Sequence, residues 1–146
     1  MKREITIFYG TETGNSQDLA EKAESILNEE GHGTNVLNLE DVNPEDLLKI
    51  QLSLFIVSTW GEGDPPLDAE DFYESLKSSD LALSNFNYGI MGLGDRSYTI
   101  FNGFARDLDT TLGKLGAKRI GERFEADLDF EADFDVWITE IKKLIG

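Results

Sequence analysis

The segment after the first apolar run concentrates hydroxyl and amide side chains in a short loop. It reads TETGNS from Thr11 to Ser16 and leads into a helical pattern. Hydroxyls and free backbone N–H groups at a helix N-terminus can hold a phosphate without a cation. The loop lacks the Gly-Lys-Ser/Thr ending of a Walker A loop and the G-x-G-x-x-G pattern of dinucleotide-binding folds. A phosphate loop and an ordinary helix cap built from turn-forming residues therefore both remain open.

Two aromatic residues follow two other apolar runs. Trp60 ends the run LSLFIVSTW and precedes the loop GEGDPP, and Tyr98 lies shortly after YGIMGLG, within GLGDRSY. If both runs are neighbouring parallel strands, their carboxyl ends meet at one sheet edge, where ligands of such sheets bind. The two rings could then enclose a flat ring system whose tail ends in a phosphate. The alternatives are core packing for Trp60, which its neighbouring glycines disfavour, and helix-start packing for Tyr98.

The whole chain alternates between strand and helix patterns. Residues of the helical segments recur at a spacing of three and four, and the strands between them are short apolar runs. This order predicts a doubly wound α/β fold with a parallel sheet and helices on both faces. The predicted elements are strands at EITIFYG, Val36–Leu39, Leu52–Trp60, Tyr88–Gly94 and Ile120–Leu128, and helices from about Asn15, after Asn43-Pro44, around Phe72–Leu76, over Phe101–Leu115 and over Phe134–Ile145.

Composition narrows the function classes. The chain has 146 residues, enough for one domain, and its 13 basic and 29 acidic residues give a formal net charge of −16. That charge disfavours nucleic acid and anionic membrane as partners. The absence of cysteine excludes disulfides, thiolate metal sites and a thiol nucleophile. The single histidine, His32, provides no multi-histidine metal site and follows Gly31 like an exposed turn residue, so we expect neither catalytic nor metal-binding residues.

The loops taken together resemble the flavodoxin family. The segments TETGNS, STWGEGDPPLDAEDFYESL, GLGDRSYTIFN and FEADLD occur in the family's order and spacing, over about residues 4 to 143. They are especially similar to the FMN-binding domains of diflavin reductases, such as cytochrome P450 reductase and sulfite reductase flavoprotein, and to the small stand-alone bacterial flavodoxins related to them. The resemblance implies a single flavodoxin-like domain over residues 1–146. Its fold would be three-layered, with a five-stranded parallel sheet of order 2-1-3-4-5. It would be of the short-chain type, since no long insertion splits the last strand.

The resemblance also implies FMN as the cofactor and assigns its contacts. The loop from Thr11 to Ser16 would bind the phosphate, and Trp60 and Tyr98 would stack on opposite faces of the flavin ring. Backbone groups after the third and fourth strands would line the ring, and Asp127 would lie near the ribityl chain or the ring. The implied cofactor-binding residues are Thr11, Glu12, Thr13, Gly14, Asn15, Ser16, Ser58, Thr59, Trp60, Gly61, Leu93, Gly94, Asp95, Arg96, Ser97, Tyr98, Phe101, Asn102 and Asp127.

A protein of this kind would be a non-catalytic carrier of single electrons. We expect a cytoplasmic monomer that receives electrons from an NAD(P)H-dependent flavoprotein reductase and delivers them to a downstream redox acceptor. Two groups of acidic residues would meet a basic surface of these partners, since complementary charge steers association. The first group is Glu62, Asp64, Asp68, Glu70 and Asp71, and the second is Asp127, Asp129, Glu131, Asp133 and Asp135.

The same loops are also compatible with other functions. The chain could be a flavin-free interaction module that keeps the fold, or an excised FMN domain of a larger diflavin reductase. An enzyme that uses FMN on a small substrate is disfavoured, because no acid–base pair follows the predicted strands. A response-regulator receiver is disfavoured as well. Such a domain needs paired acids after the first strand and an aspartate at the end of the third, where this chain has Gly-Thr-Glu and Ser-Thr-Trp.

Overall fold

Three apolar strands form the centre of a parallel sheet, as expected for strands that are buried on both faces. The computed structural model describes residues 3–11, 14–59, 63–94, 102–127 and 129–145. The strands are β1 (Glu4–Gly10), β2 (Gly33–Asn38), β3 (Leu52–Ser58), β4 (Asn87–Leu93), β5 (Lys118–Arg119) and β6 (Phe124–Ala126). The pairings are parallel, and the order β2-β1-β3-β4-β5 confirms the predicted topology.

Amphipathic helices cover both faces of this sheet. Consecutive strand residues point to opposite faces, so Ile7 and Leu54 enter one half of the core, while Phe8 and Phe55 enter the other. The first half is closed by α1 and α4, and the second by α2 and α3. No helix in the described ranges is both long enough and apolar enough to cross a bilayer. The helices are α1 (Asn15–Glu29), α2 (Leu67–Lys77), α3 (Gly103–Lys114) and α4 (Phe130–Ile145), with 3₁₀ helices at Leu39–Asp41 and Pro44–Lys49.

The short helix predicted after Asn43 is a 3₁₀ helix, Pro44–Lys49. The Asp46 carboxylate accepts a hydrogen bond of 3.0 Å from the Asn43 backbone N–H, which fixes the start of the turn. Leu47 is buried, but Leu48 is 52% exposed. This short segment connects β2 to β3 and packs Leu47 into the core without adding a full helix to the layer.

The last predicted strand, Ile120–Leu128, is longer than the strand observed there, since only β6 lies within it and the two-residue β5 precedes it. The Ile120 N–H still donates to the Tyr88 carbonyl at 2.8 Å, but Gly121 then adopts a positive φ of 68°. Pairing with β4 resumes at Phe124, opposite Met91. The left-handed glycine turns the chain out of the ladder for a few residues, so two short strands, β5 and β6, pair with the same strand β4.

His32 is buried, and the expectation of an exposed turn residue is wrong. Its ring is 8% exposed, and Nδ1 accepts a hydrogen bond of 3.0 Å from the Arg3 backbone N–H. The next residue, Gly33, donates its N–H to the Arg3 carbonyl at 2.9 Å. The imidazole therefore extends the β1–β2 ladder at its amino end and satisfies a backbone donor there.

A buried carboxylate joins α3 to the edge of the sheet. Asp109 lies on α3 with its side chain 6% exposed, and it accepts a hydrogen bond of 2.5 Å from the Tyr88 hydroxyl on β4. Arg119 pairs with the same carboxylate, and Arg123 approaches it at 2.6 Å. Burial raises the pKa of Tyr88, and the bond to Asp109 raises it further, so the phenol remains a hydrogen-bond donor.

A second carboxylate fixes β6. The Glu125 carboxylate accepts two hydrogen bonds from Arg106 on α3, one from Nε at 2.7 Å and one from Nη2 at 2.8 Å. It accepts a third hydrogen bond of 3.0 Å from Nε of Arg123. The hydrogen bond from Arg106 lowers the pKa of Glu125, partial burial opposes this shift, and Arg123 lowers the pKa further. The bidentate geometry with Arg106 holds the short strand β6 against α3.

We predict that Glu125→Gln lowers the free energy of unfolding by about 1–2 kcal/mol at pH 7, because it weakens the charge-assisted bonds. A lowered pKa stabilises the fold above the unfolded-state pKa, and this contribution disappears as the pH falls through the folded-state pKa. The difference from wild type should therefore shrink between about pH 5 and pH 3, as urea unfolding would show.

The matched control is Glu140→Gln. Glu140 approaches Lys143 at 3.5 Å, but both side chains are more than half exposed. This variant should stay within about 0.5 kcal/mol of wild type at every pH. Equal losses in the two variants would contradict a special role for the Glu125 cluster.

Candidate cofactor site

The predicted cofactor-binding residues follow strands whose carboxyl ends lie at one edge of the sheet. Ten of them are within the described residues: Thr11, Gly14, Asn15, Ser16, Ser58, Thr59, Leu93, Gly94, Asn102 and Asp127. Nine lie outside the described residues: Glu12, Thr13, Trp60, Gly61, Asp95, Arg96, Ser97, Tyr98 and Phe101. The register places Ser58 opposite Leu93, and Leu93 opposite Ala126. The ends of β3, β4 and β6 are therefore level with one another.

The first loop is anchored by an aspartate from another element. The Thr11 N–H lies 3.0 and 3.1 Å from the two carboxylate oxygens of Asp68, in the first turn of α2. The same carboxylate also accepts a hydrogen bond of 3.1 Å from Nδ2 of Asn38, the last residue of β2. Asp68 thus joins the ends of β1 and β2 to α2. The sequence placed Asp68 in the first acidic group, and nothing in its local pattern distinguishes it from its exposed neighbours.

The loop leads into α1 through a left-handed glycine. Gly14 has a φ of 90°, and its N–H donates to Thr11 Oγ1 at 2.8 Å. This bond occupies a lone pair of the Thr11 hydroxyl and leaves its hydrogen able to donate to a ligand. The first intrahelical bond runs from the Asp18 N–H to the Gly14 carbonyl at 3.0 Å. The N–H groups at positions 15–17 therefore have no carbonyl acceptor within the helix.

The loop is connected to the end of β3 by a pair of hydroxyls. Ser16 is fully buried, and its Oγ lies 2.7 Å from Oγ of Ser58. One hydrogen bond between two hydroxyls uses one of their two hydrogens, so the other hydrogen can donate elsewhere. The pair links the loop after β1 to the strand that precedes Trp60.

Thr59 connects β3 with both β4 and α3. Its N–H donates to the Leu93 carbonyl at 3.1 Å, which continues the ladder beyond the last residue of β3. Its side-chain oxygen accepts the Phe104 N–H at 3.2 Å. That N–H belongs to the first turn of α3, where donors have no partner within the helix, so Thr59 caps α3 from a different element.

Asn102 occupies the start of α3 in a left-handed conformation. It has a φ of 54°, is 1% exposed and donates Nδ2 to the Ala126 carbonyl at 3.1 Å. The Gly94 N–H donates to the same carbonyl at 2.9 Å. Among the described residues, Oδ1 of Asn102 has no hydrogen-bond donor. A buried acceptor at the sheet edge is thus available to a further donor.

Gly92 and Gly94 make room for this asparagine. A Cβ on Gly92 would overlap with Asn102 Oδ1 and lie 2.5 Å from Ala105 Cβ, and one on Gly94 would lie 2.9 Å from Asn102 Nδ2. The structure gives them a packing role, because a side chain at either position would displace Asn102.

Comparison with known proteins identifies the family. The family model described as flavodoxin matches residues 7–137, which is most of the chain. The chain belongs to the flavodoxin family. Flavodoxins bind FMN and transfer electrons, which confirms the predicted family, cofactor and general function.

Over 98% of its length this flavodoxin-family chain is 36% identical to the sulfite reductase [NADPH] flavoprotein alpha-component of Bacillus subtilis (strain 168). Over 92% it is 34% identical to NADPH–cytochrome P450 reductase of Salmo trutta.

The flavodoxin-family chain spans about a quarter of the length of these curated relatives, 24% of each. Solved structures match it more completely. A flavodoxin from Streptococcus pneumonia TIGR4 superposes with a TM-score of 0.82 at 27% identity, covering 99% of this chain and 98% of that one. A mutant of flavodoxin from Pseudomonas aeruginosa superposes with a TM-score of 0.84 at 24% identity, covering 98% of this chain and 99% of that one. These superpositions confirm the fold.

The residues described at this edge fit FMN. The N-terminus of α1, the Thr11 hydroxyl and the Ser16–Ser58 pair supply donors of the kind that a phosphate needs. Among the residues that the structure describes, none comes within 4 Å of a Cβ added to Gly14, so the described part of the loop leaves space there. The unpartnered Oδ1 of Asn102 suits a donor on a polyol or a flavin ring.

We predict that Gly92→Ala destabilises the fold by about 2–3 kcal/mol, because the new methyl group must displace Asn102 or Ala105. Gly113→Ala is the control. Gly113 lies inside α3, and no described residue outside the local helix backbone comes within 4 Å of an added Cβ, so this variant should stabilise the fold by about 0.5–1 kcal/mol. Chemical unfolding measures both, and a Gly92→Ala variant as stable as wild type would refute the packing role.

Proposed function

We propose that this chain carries single electrons between an NAD(P)H-dependent flavoprotein reductase and a downstream redox acceptor. The observation that carries this proposal is the polar edge of the sheet, where the hydroxyl loop at α1 and the ends of β3, β4 and β6 are held level in a flavodoxin-family chain. Bound FMN supplies one-electron redox chemistry, and the protein binds and orients it.

The phosphate subsite is proposed at the start of α1. Its donors are the hydroxyls of Thr11 and Ser16 and the N–H groups of the first helical turn. The N–H groups of Thr11 and Gly14 are engaged within the protein and are not part of this set. The segment TETGNS contains no lysine or arginine, so hydrogen bonds and the helix dipole would hold the phosphate.

The ring subsite is proposed between the segments that follow β3 and β4. Trp60 and Tyr98 are the stacking residues of this proposal, and Gly61 and the segment 95–97 line the ring with backbone groups. Phe101 and Asn102 close the side toward α3, and Glu12, Thr13 and Asp127 complete the contacts with the phosphate and the ribityl chain. Its support is the position of the described ends of these segments, Thr59 and Gly94, at the sheet edge.

Acidic residues surround the proposed site. Helices that follow parallel strands begin at the carboxyl edge, so the first turns of α2 and α4 lie near the FMN site. Glu70 and Asp71 on α2 and Glu131 on α4 are exposed there. Asp68 turns its carboxylate toward Thr11 and is not part of this exposed set. A basic patch on a reductase or an acceptor complements this surface.

We predict that the purified protein is yellow and binds FMN in a one-to-one ratio. Ser16→Ala should weaken FMN binding by about 10- to 100-fold, because a hydrogen bond to a charged phosphate is lost. Riboflavin, which has no phosphate, should bind this variant as it binds wild type. Fluorescence titration with both flavins measures the two affinities. A colourless protein that ignores added FMN would favour the flavin-free module.

Trp60→Ala and Tyr98→Ala should behave differently from Ser16→Ala. Each removes a proposed stacking ring, so each should weaken FMN and riboflavin alike and restore flavin fluorescence. Ser53→Ala is the control for both experiments, since Ser53 lies on β3 with its hydroxyl bonded to the Asn87 carbonyl at 3.1 Å, at the amino end of the strand. It should leave both affinities unchanged.

Electron transfer to a basic acceptor should slow as the ionic strength rises, and Asp71→Lys should reduce both the rate and its dependence on salt. Asp80→Lys makes the same change in charge beyond the carboxyl end of α2, at the opposite edge of the sheet. It should have a smaller effect in stopped-flow measurements. Rates that do not change with salt would contradict docking through this surface.

A further inference from the structure

The start of α3 joins three strand ends through a closed set of hydrogen bonds. Thr59 bonds to β4 and to α3, and Asn102 and Gly94 share the carbonyl at the end of β6. Each bond connects a different pair of elements, so the set runs from β3 to α3, to β6, to β4 and back to β3. We name it the α3 joint, and its residues are Thr59, Leu93, Gly94, Asn102, Phe104 and Ala126.

Four of the six residues of the α3 joint are buried, and Thr59 and Gly94 are partly exposed. Asn102 is 1% exposed, Leu93 is 6% exposed, and Phe104 and Ala126 are fully buried. Water cannot easily replace a hydrogen bond that is broken in such surroundings, so each donor left without a partner carries its full desolvation penalty. The joint therefore holds one geometry more strictly than exposed loop contacts would.

Two side chains of the α3 joint take no part in the backbone hydrogen bonds that pair the strands. The Thr59 hydroxyl caps α3, although the backbone of Thr59 already pairs with Leu93. The Asn102 side chain reaches β6 from a left-handed backbone position, which is costly for a residue with a Cβ, and Gly92 and Gly94 leave the space that it fills. Side chains that are bonded so specifically fix the relative positions of the elements they join.

We infer that Thr59 and Asn102 are positioning residues for the flavin ring, because their bonds fix the described ends from which the chain leads to the proposed stacking residues. Trp60 follows Thr59 directly in the sequence, and Tyr98 lies between Gly94 and Asn102, two members of the α3 joint. The inference rests on the proposed function. It adds that Thr59, Gly94 and Asn102, at the ends of these segments, are held together through α3, and that Thr59 acts through its side chain as well as through its backbone.

The α3 joint is separate from the phosphate side of the site. The loop after β1 is held by Asp68, Gly14 and the Ser16–Ser58 pair, none of which belongs to the joint. A change in the joint should therefore weaken recognition of the ring, which FMN and riboflavin share. A change in the phosphate loop should weaken FMN alone. The ratio of the two affinities distinguishes these cases.

Thr59→Val tests the hydroxyl with little change in side-chain volume. The Phe104 N–H loses its acceptor, and we expect FMN and riboflavin affinities to fall together by about 10-fold, with faster flavin dissociation. Thr59→Ser retains the acceptor and should restore both affinities to within about 3-fold of wild type. Ser53→Ala, which removes a buried hydroxyl from the same strand, should leave both affinities unchanged.

Asn102→Gly provides a second, independent variant. Glycine keeps the left-handed backbone and removes both the side-chain bond to the Ala126 carbonyl and the Oδ1 acceptor offered to the cofactor, so it should produce the same parallel loss of FMN and riboflavin affinity. Thr59→Val leaves both atoms of Asn102 in place and therefore separates positioning from a direct contact. All titrations are made at a temperature at which circular dichroism shows each apoprotein to be folded. A purely structural role would lower the unfolding temperature and leave the affinities of the folded protein unchanged.

The outcomes separate the inference from the proposed function. Flavin affinities in folded Thr59→Val and Asn102→Gly equal to those of wild type would overturn the inference, as would a loss confined to FMN. A wild-type protein that folds but binds neither flavin would overturn the proposed function itself. A parallel loss in both variants, with recovery in Thr59→Ser, supports the α3 joint.

Discussion

The parallel register of the central strands is the constraint on which the rest of the molecule depends. Backbone pairing sets Gly10 opposite Val57, Ser58 opposite Leu93, and Leu93 opposite Ala126. Because all the strands run in one direction, their carboxyl ends meet at one edge, and residues far apart in sequence become neighbours. A slip of one residue in any of these pairs would exchange the two faces of a strand and bury the wrong side chains, so the apolar core and the polar edge are specified together.

The edge is organised by hydrogen bonds that the protein makes with itself. Asp68 engages the Thr11 N–H, Thr59 engages the Phe104 N–H, and Asn102 engages the end of β6. These bonds remove some donors from the surface and decide which remain available to a ligand. Sites assembled in this way are ordered before the ligand arrives, which reduces the entropy lost on binding. The side chains that arrange the edge are therefore as much a part of the proposed site as those that would face the cofactor.

Sequence patterns predicted the alternating strands and helices, and the family resemblance supplied the sheet order, but neither predicted the individual hydrogen-bond partners. Apolar runs and helical spacing suffice for the strands and helices, because burial on one or two faces has a distinct periodicity. The prediction for His32 is wrong because the ladder between β1 and β2 brings the Arg3 N–H to its ring, a contact between residues 29 positions apart. Gly121 separates β5 from β6 through a backbone angle that the sequence pattern does not reveal. The motif positions of the site followed from the family resemblance. The packing role of Gly92 became visible only with Asn102 in place.

Charge in this acidic protein serves two separate purposes. Asp109 and Glu125 are largely withdrawn from water, and arginines such as Arg123 compensate both of them at the junction of α3 with β5 and β6. Removing one partner of such a buried group leaves the other uncompensated, so these charges belong to the fold. Exposed acids such as Glu70 and Glu131 stand at the beginnings of helices near the cofactor edge, where their contribution to stability is small. They can therefore vary without endangering the fold, which is what the proposed docking to a redox partner requires.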